Sequence, residues 1–251
     1  MTPHLFILTG ASRGMGLAMA QQLLRPGHTV LCLSRHTHDA LAAQAQAQGA
    51  TLVQWSQDLS DGAAASARLV AWLATQNAPS YASATLINNA GVIPRIGPLS
   101  DADPADLAHA LRVGLEAPMQ LSAAFLNATA GWSGVRKILN ISSGLGRRPM
   151  ASQAAYCAAK AGMDHFTRCM ALDEALKPHG ARVCSLAPGV IDTDMQVQLR
   201  STDVSTFPDQ ANFANLKADD QLTSPDEAAA RVLAFLNRPD FGEQPVADVR
   251  G

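Results

Sequence analysis

The sequence predicts an α/β domain built around a doubly wound parallel sheet. Short apolar runs alternate with longer stretches of helical pattern, and no repeat, low-complexity tract or Pro/Gly-rich linker divides the 251 residues. Apolar runs without strict alternation are typical of strands buried on both faces. Repeated strand–helix–strand order requires parallel strands joined by right-handed crossovers. One domain over residues 1–251 is therefore the simplest interpretation.

The predicted elements follow in regular order. Six buried strands are expected over His4–Thr9, Thr29–Ser34, 51–55, 85–88, 136–141 and Arg182–Ala187, and a short strand at 245–248 would close the sheet. Helical patterns lie between them, over 14–25, 38–48, 62–76, 100–128, 152–177 and 224–236. The polar, poorly periodic segment 192–223 is expected to be a substrate lid, because long irregular segments in compact domains are usually binding loops.

Composition argues against several classes of function. A formal net charge of −2 and scattered basic residues provide no positive stripe for nucleic acid. No run approaches the ~18 apolar residues of a membrane span, and residues 1–9 lack the basic start of a signal peptide. The four cysteines form no C-x-x-C pair and have no histidine at metal-ligand spacing. We expect a cytoplasmic protein with reduced thiols, no bound metal, and neither nucleic acid nor membrane as partner.

A glycine-rich turn directly follows the first strand and begins the first helix. Its glycines permit a tight turn and bring backbone N–H groups and the positive end of a helix close to a pyrophosphate. No Lys-Ser/Thr pair follows the last glycine, which argues against a mononucleotide P-loop. The turn predicts a dinucleotide site, with an ordinary glycine-rich turn as the alternative. Its candidate cofactor contacts are Gly10, Ser12, Arg13, Gly14, Met15 and Gly16.

The end of the second strand favours NADP(H) over NAD. NAD-binding domains place an acidic residue there for the ribose diol, whereas this chain has Ser34, Arg35 and His36. Arg35 together with Arg13 is suited to bidentate binding of a 2′-phosphate. Two solvated surface arginines are the alternative.

A tyrosine, a lysine and a serine form the candidate catalytic set. Tyr156 and Lys160 lie one turn apart on a predicted helix, and Ser143 precedes Tyr156 by thirteen residues. A phenol of pKa ~10 relays protons poorly until a nearby ammonium stabilises its phenolate. Lys160 can supply that charge, and Ser143 can hold a carbonyl oxygen beside Tyr156. For Tyr-x3-Lys alone, a chance helical pair is the alternative.

Taken together, these motifs resemble those of the short-chain dehydrogenase/reductase family, and the resemblance spans essentially the whole chain. It implies a Rossmann-type sheet of strand order 3-2-1-4-5-6-7 with helices on both faces. It also implies a homodimer or homotetramer paired through the helices at 100–128 and 152–177. The loops after strands three, four and six match family segments that contact the cofactor. Those matching positions are Asp58, Leu59, Asn89, Ala90, Gly91, Pro188, Gly189, Ile191 and Thr193, beside Tyr156 and Lys160.

Within the family, the C-terminal third looks most like sepiapterin reductases and the bacterial benzil-reductase-like enzymes. Sepiapterin reductases anchor the pterin with an aspartate near the C-terminus, so Asp248 is the candidate substrate contact by position. An ordinary strand-end carboxylate is the alternative. Gly114 departs from the family, which has an asparagine whose backbone carbonyl holds a relay water. We expect a bent helix at Gly114 whose own carbonyl supplies the same acceptor.

The expected function is NADPH-dependent reduction of a small ketone or vicinal dicarbonyl by Ser143, Tyr156 and Lys160. Two alternatives stay open. One is an NAD(P)-dependent alcohol dehydrogenase acting in the oxidative direction, against which Arg13 and Arg35 argue. The other is a non-catalytic NADP-binding sensor or scaffold, against which the intact Ser–Tyr–Lys set argues.

Overall fold

Parallel strands form a sheet at the centre of the protein. The structure is a computed structural model, and it describes residues 2–250. Within that range the sheet has seven strands in the order β3-β2-β1-β4-β5-β6-β7, as predicted. Every neighbouring pair is parallel. The strands are β1 His4–Thr9, β2 Thr29–Ser34, β3 Thr51–Ser56, β4 Ser83–Asn88, β5 Val135–Ile141, β6 Arg182–Ala187 and β7 Val246–Asp248.

Helices cover both faces of this sheet because the strands are apolar on both sides. Along β1, Leu5 and Ile7 belong to one core cluster, whereas Phe6 and Leu8 belong to the other. Side chains alternate across a strand, so a continuous apolar run supplies two cores at once. The helices are α1 Gly14–Leu23, α2 Asp39–Gln48, α3 Gly62–Leu73, α4 Pro104–Leu111, α5 Ala117–Ala128, α6 Ala154–Ala175, α7 Asp194–Ser201, α8 Gln210–Ala218 and α9 Pro225–Leu236.

The single helix predicted over 100–128 is wrong in detail, because a short 3-10 turn that ends at Asp101, two α-helices and a π-helical turn occupy that range. Helix α4 begins only at Pro104, where the Asp103 carboxylate caps it by accepting from Ala105 N at 2.8 Å. A π-helical turn, Arg112–Glu116, then separates α4 from α5. Pro118 explains the irregularity, because proline lacks the N–H that an α-helix would direct to the carbonyl four residues earlier. That carbonyl belongs to Gly114, where the sequence predicts a bend.

The segment 192–223 is more ordered than its polarity suggests, since it contains α7 and α8. Its two ends are joined by a bridge in which Asp192 N donates to Thr223 O at 3.0 Å and Thr223 N donates to Val190 O at 3.0 Å. Phe207 is fully buried in a small apolar cluster and stacks on Phe213, with ring centroids 5.5 Å apart. The segment is therefore a packed flap with closed ends. Among residues 2–250, no helix is both long and apolar enough to cross a bilayer.

Candidate active site

A cleft of about 900 Å³ lies at the carboxyl ends of the strands. Residues that follow β1, β2, β4, β5 and β6 line it, represented by Gly10, Arg35, Asn89, Ser143 and Pro188. Ligands of open α/β sheets bind in this crevice, and the volume falls in the usual range of about 300–1,000 Å³. No group of three or more His, Cys, Asp or Glu side chains within residues 2–250 is arranged to hold a metal ion.

The cleft brings together nearly all of the site residues predicted from the sequence. The catalytic candidates Ser143, Tyr156 and Lys160 line it, as do the candidate cofactor contacts. These contacts are Gly10, Ser12, Arg13, Gly14, Met15, Gly16, Arg35, Asp58, Leu59, Asn89, Ala90, Gly91, Pro188, Gly189, Ile191 and Thr193.

Asp248 is the exception among the predicted site residues. Arg250, two residues further on, lines the cleft in its place. The Asp248 carboxylate accepts hydrogen bonds from Arg250 N, Nε and Nη2 at 3.0, 2.8 and 2.8 Å. This local ion pair holds the pKa of Asp248 below its ordinary value. The position of Asp248 thus corresponds to the alternative interpretation, a strand-end carboxylate engaged by its own neighbour.

The glycine turn has the close packing that a dinucleotide cradle requires. Gly10 and Gly14 adopt positive φ angles of 70° and 54°, which favour glycine. A Cβ on Gly16 would lie 2.0 Å from the Gly10 carbonyl oxygen, so only glycine lets α1 begin this close to the turn. The Ser34 hydroxyl, at the end of β2, accepts from Ala11 N at 2.8 Å and fixes the turn from its other side.

The Asn-Asn-Ala-Gly segment after β4 holds the glycine turn against the sheet. Thr9 Oγ1 accepts from Asn89 N at 2.9 Å and from Ala90 N at 3.0 Å. In return, Asn89 Nδ2 donates to Thr9 O at 3.0 Å and to Gly10 O at 3.2 Å. The preceding residue, Asn88 at the end of β4, is tied to the neighbouring strand β5, because its Nδ2 donates to Asn140 Oδ1 at 2.8 Å. The supporting roles of Thr9 and Ser34 escape sequence reasoning, which considers the glycines alone.

Two exposed arginines lie at the end of the cleft formed by β1 and β2. Arg13 is not free there, because its Nη1 donates to Asp194 Oδ2 at 2.7 Å on α7. Both side chains of that pair are exposed, and exposed pairs contribute little, so an anion can displace Asp194 at small cost. Arg35 is exposed beside Asp58, whose carboxylate accepts from Ser60 N at 2.8 Å. That hydrogen bond, more than Arg35, lowers the pKa of Asp58.

Tyr156 is in the first turn of α6 and remains protonated at neutral pH. Burial raises the pKa of its phenol to about 12, and hydrogen bonding with the Ser143 hydroxyl offsets only part of that rise. Lys160 is buried, its Nζ donates to Ile141 O at 2.7 Å, and it lies 5.8 Å from the Tyr156 ring centroid. Burial lowers the pKa of Lys160 to about 8. The cleft thus combines a protonated phenol with a lysine whose charge is costly to bury.

Asp164 is a buried carboxylate close to Lys160 that no sequence motif singles out. It lies one turn beyond Lys160 on α6 and is 2% exposed. Its carboxylate accepts from Ser185 Oγ at 2.6 Å and from Arg147 Nε at 3.2 Å. Its negative charge raises the pKa of Lys160 against the larger effect of burial. The available signal was the four-residue spacing from Lys160, which puts both side chains on one face of the helix.

The chain belongs to the short-chain dehydrogenase family, whose sequence profile matches residues 4–204. Members of this family are oxidoreductases that bind nicotinamide cofactors. The fold, the cleft and the order of the motifs agree with this assignment.

Individual relatives indicate which members of the family this chain resembles. The chain is 33% identical over 96% of its length to a benzil reductase ((S)-benzoin forming) from Bacillus cereus, covering 96% of that protein. It is also 33% identical to a sepiapterin reductase from Meriones unguiculatus, with 94% of this chain and 92% of that protein covered. A metagenomic short-chain oxidoreductase solved in complex with NADP has a TM-score of 0.71 and 28% identity, with coverage of 98% of this chain and 94% of that chain. These relatives confirm the predicted resemblance to the benzil and sepiapterin reductase group.

Proposed function

We propose that this protein is an NADPH-dependent carbonyl reductase that acts on a small ketone or vicinal dicarbonyl. The observation that carries the proposal is the convergence of Ser143, Tyr156 and Lys160 in one cleft, with the Tyr156 phenol protonated at neutral pH. A general acid must hold its proton until the transition state, and a phenol whose pKa is about 12 does so.

The chain's own residues account for the proton side of the reaction. NADPH, when bound, supplies the hydride that reaches the carbonyl carbon. Ser143 Oγ donates a hydrogen bond to the carbonyl oxygen and so holds it beside Tyr156. The Tyr156 hydroxyl gives its proton to that oxygen, which converts the ketone to an alcohol and leaves a tyrosinate. The Lys160 ammonium stabilises the tyrosinate until solvent returns the proton.

The glycine turn and Arg35 support a phosphorylated dinucleotide as the cofactor. The Gly10–Gly16 contact leaves backbone N–H groups and the start of α1 open toward a pyrophosphate. Arg35 is exposed at the end of β2, where a 2′-phosphate would lie, and Arg13 can join it by leaving Asp194. The NADP complex of the metagenomic relative agrees with this choice.

The substrate class follows from the apolar wall of the cleft and from the benzil reductase relatives. The apolar residues that line the cleft include Val92, Ile93, Leu145, Leu199 and Phe213. Such a wall suits aryl or alkyl groups on either side of a carbonyl.

A direct test is a screen of NADPH oxidation against diketones, pterins, quinones and ketoacyl carriers, with NADH as the cofactor control. We expect turnover with benzil-like diketones. A protein that binds NADPH tightly and turns over no carbonyl compound would instead be a sensor or scaffold. Efficient alcohol oxidation with NAD would favour the oxidative dehydrogenase.

We also propose a cytoplasmic homodimer or homotetramer paired through α4, α5 and α6. Large apolar side chains are exposed on these helices, at Leu111, Met119 and Leu172, and directly after α6, at Leu176. Burying such side chains between subunits would remove apolar surface from water. All four cysteines of the described chain are free thiols, which agrees with a reducing compartment.

A further inference from the structure

Gln153 is the buried side chain within residues 2–250 whose amide nitrogen and amide oxygen both lack a hydrogen-bond partner. Its exposed fraction is 1%. Buried polar groups in folded proteins are nearly always paired, so an amide with neither end satisfied calls for an explanation. Because Gln153 lines the cleft, a bound ligand can supply the partner.

The place of Gln153 in the chain puts it beside the catalytic set. It is the residue immediately before α6, and Tyr156 follows three residues later. Both residues line the cleft. The Gln153 backbone carbonyl accepts from Cys157 N at 2.9 Å, which fixes its main chain relative to the first turn.

The side chain of Gln153 has no structural task that would account for its burial. Residues at this position of a helix normally accept hydrogen bonds from N–H groups of the first turn. Within the described chain, Gln153 forms no such bond. Gln196, on α7 of the flap, also lines the cleft, and its buried Oε1 likewise lacks a partner among residues 2–250. The cleft therefore contains an amide with neither end paired on the α6 side and an unpaired amide oxygen on the flap side.

We propose that the Gln153 amide binds the second carbonyl oxygen of a vicinal dicarbonyl and thereby selects such substrates over monoketones. The inference rests on the proposed reductase function and adds the residue that recognises the non-reacting carbonyl. With the reacting oxygen held by Ser143 and Tyr156, the adjacent carbonyl oxygen is a fixed acceptor one carbon away. Gln153 Nε2 donates to it, and the apolar wall accommodates the flanking groups.

Selectivity follows from a hydrogen bond that only the diketone can form with the unpaired amide. A monoketone of the same carbon skeleton fills the cleft but offers Gln153 no acceptor. A site built to hydrogen-bond a substrate group discriminates against the analogue that lacks it. Because the amide is already desolvated in the free protein, the diketone gains a hydrogen bond without having to displace a competing protein partner.

The test compares Gln153→Met with the wild-type protein on benzil and deoxybenzoin, which differ only in the second carbonyl. Methionine keeps the length of the side chain and removes the amide. The quantity measured is the ratio of kcat/KM for benzil to kcat/KM for deoxybenzoin, so the intrinsic reactivity of the two ketones cancels between proteins. We expect Gln153→Met to lower this ratio about tenfold. Gln198→Met, at an exposed position of α7 outside the cleft, should leave the ratio unchanged.

Thermal unfolding without substrate separates recognition from a structural role. Removing an amide that has no partner should leave Tm unchanged or raise it. An unchanged ratio, an equal loss on both ketones, or a Tm lowered by several degrees would overturn the assignment of Gln153 while the reductase proposal stands. If the wild-type protein reduces neither ketone although it binds NADPH, the proposed function fails first, and the inference fails with it.

Discussion

Replacing Lys160 with methionine should stabilise the fold at neutral pH while it abolishes the proposed chemistry. Lys160 is 4% exposed, and its ammonium has Ile141 O as its hydrogen-bond acceptor at 2.7 Å. Burial lowers the pKa of this lysine from 10.5 to about 8 even though Asp164 partly opposes the shift. The folded protein therefore holds a charge that would be better solvated in the unfolded chain.

The size of the effect follows from the pKa difference. At ~1.4 kcal/mol for each pH unit, burying the charged form of Lys160 costs about 3 kcal/mol. The cost is present in full below about pH 8, where lysine is charged in both states. It disappears as pH rises toward 10.5, because the folded protein loses its proton first and the unfolded chain binds more protons. The stability of the wild-type protein relative to Lys160→Met should therefore rise with pH.

Urea unfolding from pH 7 to pH 10 measures this dependence. We expect the free energy of unfolding of Lys160→Met, minus that of the wild type, to fall by about 2–3 kcal/mol across the range. The lost hydrogen bond to Ile141 adds an offset that does not depend on pH. Lys217→Met is the matched control, because it removes the charge of a half-exposed lysine instead of a buried one. Parallel curves for wild type and Lys160→Met would refute the assignment of Lys160 as a buried charge.

Three further predictions concern the cofactor, the π-helical turn and assembly. Arg35→Ala should remove most of an NADPH-over-NADH preference of at least about tenfold in kcat/KM, a gap of ~1.4 kcal/mol, and equal use of both cofactors by the wild type would contradict the 2′-phosphate site. A Cβ on Gly114 would lie 3.1 Å from Ala159 Cβ, so Gly114→Asn should lower the free energy of unfolding by about 1–3 kcal/mol. A double-mutant cycle with Ala159→Gly should then give a coupling of about 1 kcal/mol, whereas additivity would exclude the contact. Light scattering at micromolar concentration should report a dimer or tetramer, with Met119→Glu shifting the population toward monomer, and a wild-type monomer would rule the interface out.

The sheet could be predicted from the sequence because its signal is local. A run such as Leu5 to Leu8 is apolar at every position, and such a run can be buried only between two layers. The glycine turn and the Tyr156–Lys160 pair could also be predicted from the sequence. The spacing of the glycines indicates a turn at a strand end, and the spacing of Tyr156 and Lys160 puts both on one helix face. The family resemblance supplied the strand order and the remaining loop positions.

The elements that the sequence predicts incorrectly depend on proline and on tertiary contacts. The helical pattern continues across 100–128, and only Pro104 and Pro118 indicate that hydrogen bonding changes there. The polarity of residues 192–223 predicts an irregular segment, yet Phe207 and the bridge at Thr223 organise it.

The roles of some polar residues cannot be predicted from the sequence, because they too depend on tertiary contacts. Whether an amide is satisfied depends on what the fold places around it, so no pattern marks Gln153 as unpartnered. No sequence pattern predicts that Arg250 pairs with Asp248 or that Asp194 pairs with Arg13.

The most direct test of the proposed reductase is a comparison of Tyr156→Phe with Tyr81→Phe in NADPH-dependent reduction of benzil. These are the two tyrosines of the chain. The Tyr81 hydroxyl hydrogen-bonds to Thr29 Oγ1 at 3.2 Å, and Tyr81 does not line the cleft. Tyr156→Phe should lower kcat at least about a hundredfold and leave the Kd for NADPH within about twofold, because only the proton donor is lost. Tyr81→Phe should keep full turnover. Retention of more than about a tenth of wild-type kcat by Tyr156→Phe would show that Tyr156 is not the proton donor.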